Sequence, residues 1–90
     1  MTKHFNIWVS GRVQGVWFRK YVKQTAFDFD LKGYVSNLED GKVYIEAEGE
    51  SEKLSQLLDW LWIGSPMSRV EDVKHESAPS VGFDNFEIRR

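Results

Sequence analysis

Ninety residues, 41% hydrophobic and 14% aromatic, leave room for one domain with a single modest core. The absence of cysteine excludes a disulfide framework, a thiolate metal site and a cysteine nucleophile. The net charge of −2 is unevenly spread, with Lys3, Arg12, Arg19, Lys20 and Lys23 unopposed by any acid in residues 1–27, a pattern that suits a small anion better than a long polyanion.

In chain order, His4 to Ser10 alternates like a strand, with Phe5, Ile7 and Val9 on one face. A loop bracketed by Gly11 and Gly15 follows. Phe18, Tyr21, Val22, Thr25, Ala26 and Phe29 then recur at three- and four-residue spacing, which predicts a helix from about Phe18 to about Asp30, closed by Leu31-Lys32-Gly33. Tyr34 to Leu38 and Lys42 to Glu48 flank Asp40-Gly41 and read as a hairpin that ends at Gly49. In its second strand Val43, Ile45 and Ala47 face a covered side, and Lys42, Tyr44, Glu46 and Glu48 a wetter one. Ser51 is the expected N-cap of a second helix, whose stripe is Leu54, Leu57, Leu58, Leu61 and Trp62 and whose end is Gly64-Ser65-Pro66. Ser68 to Glu76 alternates imperfectly and predicts a strand with a bulge. Ser77 to Ser80 reads as a loop, and Phe83, Phe86 and Ile88 mark a short final strand. This order predicts a ferredoxin-like α+β sandwich: two helices on one face of a four- to five-stranded, mostly antiparallel sheet, as one domain over residues 1–90.

The stretch Gly11-Arg12-Val13-Gln14-Gly15-Val16-Trp17-Phe18-Arg19 joins the first strand to the first helix. Glycines permit the backbone angles that let successive N–H groups converge, and a helix N-terminus adds unpaired N–H groups and the positive end of its dipole. Arg19, in the first turn, can fold a fork of donors over whatever the loop holds. Neither Gly-x-x-x-x-Gly-Lys-Ser/Thr nor Gly-x-Gly-x-x-Gly is present. His4 and His75 read as surface or strand histidines, and Glu46, Glu48, Glu50 and Glu52 as a solvated face with no metal-ligand spacing. Trp8 and Trp17 either shape the mouth of the site or pack. Leu57 to Ile63, the most apolar run, is broken by Asp59 and too short to span a bilayer, and the N-terminus has no signal-peptide stretch. A cytoplasmic location without a membrane partner is therefore expected. No aromatic RNA-binding motif is present, and Glu46 and Glu48 lie on the strands, so no nucleic-acid partner is expected.

Residue for residue, Val9, Gly11, Val13, Gln14, Gly15, Val16, Phe18 and Arg19 resemble the signature loop of the acylphosphatase family. Gly33, Tyr34, Val35, Asn37, Gly41, Val43 and Gly49 resemble its second motif, with Ser36 where the family more often has a basic or larger residue. Gly64-Ser65-Pro66, with Ser65 in place of one proline, and Phe86 to Arg90 are similar to its later turn and C-terminal strand. The resemblance implies a monomeric enzyme that hydrolyses a mixed carboxylic–phosphoric anhydride to a carboxylate and inorganic phosphate, with no metal and no cofactor. It further implies that the main-chain amides of Gln14, Gly15, Val16, Trp17 and Phe18, with Arg19, hold the phosphoryl group, and that Asn37 orients the attacking water.

Overall fold

The computed structural model describes residues 2–89; Met1 and Arg90, the latter read as the end of the C-terminal strand, lie outside that range. Its elements are β1 (Thr2–Arg12), α1 (Phe18–Asp28), β2 (Lys32–Asn37), β3 (Val43–Glu50), α2 (Ser51–Ile63), β4 (Arg69–Ala78) and β5 (Phe86–Arg89). They form a five-stranded sheet in the order β4-β1-β3-β2-β5. Every neighbouring pair is antiparallel except β2 and β5, which run parallel. This is the expected ferredoxin-like α+β arrangement.

The core lies between one sheet face and the two helices. Ile7 and Val35 both pair with Ile45, and Val9 and Asn37 with Val43, so these side chains share a face. Against them pack Phe18, Val22 and Ala26 of α1 and Leu54, Leu57 and Leu61 of α2, all buried. At about 1.5–3 kcal/mol for each large side chain removed from water, this layer is the main driving force for the fold. The stripes are narrower than the spacing predicts: Tyr21 and Trp62 are exposed, because a short helix resting on a sheet buries only its central rows.

Boundaries shift where local hydrogen bonding outweighs composition. Helix α1 stops at Asp28, short of the expected Asp30. Asp30 adopts φ 56°, its N–H donates to the Phe27 carbonyl at 3.1 Å, and the Leu31 N–H donates to the Ala26 carbonyl at 2.8 Å. That is a Schellman closure with aspartate where glycine is usual. It frees Lys32 and Gly33, expected to end the helix, to begin β2. The N-cap of α2 is Glu50, without a side-chain cap bond, and Ser51 is already helical. β3 extends through Gly49 to Glu50, and β4 reaches Ala78 through part of the expected loop. The expected bulge exists: Ser10 pairs with Asp72 and Gly11 with Val70, leaving Glu71 unmatched. Gly11 sits there at φ 123°, and a Cβ would collide with the Arg69 carbonyl oxygen.

The opposite sheet face corrects a second expectation. Glu46 and Glu48 are not on a solvated face. The loop before β5 folds over them, and the amides of Val81, Gly82 and Phe83 donate to the Glu48 carboxylate at 2.7, 2.9 and 3.2 Å. His4, only 2% exposed, is a buried strand histidine with Nε2 2.9 Å from Glu46 Oε1 and Nδ1 3.4 Å from Glu48 Oε2. Tyr34 and Tyr44 donate hydroxyls to Glu46 at 2.8 and 2.7 Å. Phe83, expected in the final strand, instead packs edge-on against Tyr34.

Candidate active site

β1 leaves the sheet after Arg12, whose pairing with Arg69 is the last rung of the β1–β4 ladder. The five residues to α1 turn sharply, with left-handed angles at Gly15 (φ 73°) and Trp17 (φ 64°, ψ 14°). Among the described residues, apart from its chain neighbours, nothing lies within 4 Å of where a Cβ on Gly15 would sit, so the backbone angle, not crowding, calls for glycine. At Trp17 the same angle is held by a bulky residue, at a cost of about 1–2 kcal/mol.

The loop is pinned from three sides. Val13, Val16 and Phe18 are buried in the core. The buried Ser65 hydroxyl, in the turn after α2, donates to the Val16 carbonyl at 3.0 Å. The Gln14 side-chain amide donates to the Leu38 and Lys42 carbonyls at 2.8 and 2.9 Å, tying the loop to the β2–β3 hairpin. Its own amides remain uncommitted: among the described residues no hydrogen bond engages the N–H groups from Gln14 to Lys20, and the first helical bond runs from the Tyr21 N–H to the Trp17 carbonyl. The N-terminus of α1 has no side-chain cap and no acid in its first turn. A cluster of unpaired N–H groups at an uncompensated positive helix end attracts an anion.

A cavity of about 910 Å³ opens beside this loop, and Gly15, Trp17, Phe18, Arg19 and Asn37 line it. The fold thus brings together most of the residues singled out from the sequence. Gln14 and Val16 do not line it with their side chains; they fix the loop from behind. Arg19 reaches across to β5, where its guanidinium donates to the Arg89 carbonyl at 3.2 Å. Asn37 ends β2 on the helix-facing side, and its Oδ1 is buried without a hydrogen-bond partner among the described residues. A buried amide oxygen left unpaired calls for an explanation, and a small polar occupant such as water supplies one.

His4 and His75 lie elsewhere on β1 and β4. Trp8 packs on Tyr44 at 5.3 Å, whereas Trp17 lines the cavity, which separates the two roles left open by the sequence. Lys20, Lys23, Phe27 and Ile88 line it too, beside Val13 and Gln24. Their positions as cavity residues were not legible beforehand, although both lysines belong to the N-terminal charge cluster. Ser65 was visible only as a substitution in a turn, and its tie to the loop depends on the packing of α2.

Comparison with known proteins agrees with this geometry. The acylphosphatase family model matches residues 5–88. An acylphosphatase from Natronomonas pharaonis is 44% identical over 85 residues, spanning 94% of this chain and 92% of its own. The crystal structure of acylphosphatase from Bacillus subtilis superposes with a TM-score of 0.94 at 38% identity, covering all of both chains. The structure of an acylphosphatase from Coxiella burnetii gives 0.95 at 36% identity, covering 98% of this chain and 93% of the other. On the family match, the identity and the shared fold, the chain belongs to the acylphosphatase family, enzymes that hydrolyse small acyl phosphates to a carboxylate and inorganic phosphate.

Proposed function

We propose that residues 1–90 act as one monomeric, cytoplasmic domain in which the 14–19 loop and Arg19 hold the phosphoryl group, Asn37 positions the attacking water, and neither metal nor cofactor takes part. Nucleic acid and membrane play no role in this reading; no helix among the described residues is long and apolar enough to cross a membrane. The observation that carries the proposal is the shared cavity: Gly15, Phe18, Arg19 and Asn37 line one space beside amides that have no acceptor among the described residues.

An acyl phosphate already carries a good leaving group, so the protein's task is to bind, orient and balance charge. The amides of Gln14 to Phe18 and the Arg19 fork supply donors to the equatorial phosphoryl oxygens, where transition-state charge is spread. Arg19 is itself held by the Arg89 carbonyl, so its fork is partly oriented before substrate arrives. The unpaired Oδ1 of Asn37 accepts a hydrogen bond from water, and water oxygen attacks phosphorus in line with the leaving oxygen. The bond from phosphorus to the bridging oxygen breaks, its electron pair leaves on the carboxylate, and a phosphoryl oxygen takes the water proton. The products are carboxylate and inorganic phosphate.

The test is hydrolysis of acetyl phosphate in the presence of a chelator. Full activity is expected, and dependence on added magnesium would overturn the metal-free mechanism.

A further inference from the structure

Beside the main cavity lies a second cleft of about 470 Å³, between the start of α1 and the turn after α2. Trp17, Lys20 and Gln24 line both, so the two spaces share one wall. Of these three side chains only Lys20 carries a nucleophile. Lys23, the next lysine along α1, lines the first cavity alone. Other lysines are engaged by carboxylates: Lys32 by Asp30 at 3.4 Å, Lys42 by Asp40 at 3.3 Å and Lys74 by Asp72 at 3.9 Å. Among the described residues no acid stands in the first turn of α1, and the Lys20 ammonium lies instead 5.2 Å from the centroid of the Trp17 ring. That ring is itself 68% exposed, so the amine is held at the open edge of the site without a counter-ion to cover it.

An acyl phosphate has two electrophilic centres, phosphorus and the acyl carbonyl carbon. With the phosphoryl group on the 14–19 loop, the acyl half extends into one of the two spaces, and Lys20 is on the wall of either. Resting on the phosphate-binding part of the reading given above, we infer that Lys20 is acylated by the bound substrate, a second reaction of the same site. The neutral Lys20 amine attacks the carbonyl carbon and a nitrogen–carbon bond forms. The bond from that carbon to the bridging oxygen breaks, and its electron pair leaves on the phosphate. One amine proton passes to a phosphate oxygen. The products are an Nε-acyl-lysine and inorganic phosphate, with no further reactant. Hydrolysis and acyl transfer break opposite bonds of one bridging oxygen, so substrate that lingers partitions between them. Acylation removes a positive charge beside the anion-binding loop, and the modified protein therefore holds phosphate less tightly.

The experiment incubates the protein with acetyl phosphate and quantifies acetylation at each lysine by peptide mass spectrometry, with hydrolysis followed in the same samples. Lys20 should be modified faster than Lys32, Lys42 and Lys74 by about tenfold or more, the gain from holding amine and ester together. Saturating inorganic phosphate should bring Lys20 down to the level of the others and leave theirs unchanged, and Arg19→Ala should do the same by loosening the phosphoryl group. Asn37→Ala, expected to hold phosphate while hydrolysing slowly, should raise labelling of Lys20. In Lys20→Arg, which keeps the charge without the nucleophile, Lys23 should not take over the lead. If the parent hydrolyses acetyl phosphate but modifies Lys20 no faster than the other lysines, or modifies it with a lead that phosphate does not suppress, acyl transfer is overturned and the catalytic reading stands. A parent that neither hydrolyses acetyl phosphate nor favours Lys20 overturns both.

Discussion

The Gln14 side-chain amide donates to the carbonyl of Leu38 at 2.8 Å, and Leu38 directly follows Asn37. A second bond, to the Lys42 carbonyl at 2.9 Å, closes on the other arm of the same hairpin. One side chain therefore fixes the distance between the anion-binding loop and the residue proposed to hold water. Two hydrogen bonds of about 0.5–1.5 kcal/mol each make Gln14→Leu destabilising by about 1–3 kcal/mol. Because loop and hairpin also lose their register, turnover should drop by about tenfold or more. Urea unfolding followed beside steady-state kinetics checks both, and a variant that loses stability but keeps full turnover would show that the tie is only structural.

For Arg19, replacement by alanine should weaken phosphate inhibition and lower kcat by about 10²–10³, the usual loss on removing one strong donor from a charged transition state. Arg19→Lys should recover only part of this, since an ammonium cannot offer a fork to two phosphoryl oxygens. Full rescue by lysine would mean that charge alone matters, and that the seat on the Arg89 carbonyl contributes nothing.

Asn37 separates catalysis from stability. Its Oδ1 is buried with no partner among the described residues, so Asn37→Ala breaks no hydrogen bond between that oxygen and them. Turnover should fall steeply while phosphate inhibition persists, and the unfolding free energy should not drop by more than about 1 kcal/mol. Loss of phosphate affinity ahead of turnover would assign Asn37 to the phosphate itself.

On the far sheet face, burial pushes the Glu48 carboxyl up, but the amides of Val81, Gly82 and Phe83 and the His4 ring outweigh it and hold it below its ordinary value near 4.5. Glu46 is also pushed up by burial and then brought below 4.5 by Tyr44, Tyr34 and His4. A depressed carboxyl in the folded state means that the unfolded chain takes up its protons at higher pH. The stability these groups contribute is then complete above about pH 4.5 and drains away as pH falls through their folded values. The urea midpoint should decline as pH is lowered through that window. In Glu48→Gln the unfolding free energy should start lower at neutral pH, by about 1.5–3 kcal/mol for charge-assisted bonds lost, and decline less steeply. An unchanged acid slope would show that the three amides do not hold the carboxylate.

Read alone, the sequence determined the element order, the ferredoxin-like class, the family and the loop from Gly11 to Arg19. These properties follow from near neighbours: alternation, helical spacing, turn residues and an uninterrupted motif are written within a few positions of one another. Only the tertiary structure decided what depends on residues far apart in the chain. Glu46 and Glu48 looked solvated because alternation describes one strand, while Glu48 is covered by Val81 to Phe83 and Glu46 is engaged by His4 and Tyr34 from neighbouring strands. Gln14 became a tie, Ser65 an anchor and Trp17 a shared wall only after β2, β3 and α2 had packed around the loop. A side chain's local pattern states which way it points; what it meets there is set by chain that returns from elsewhere.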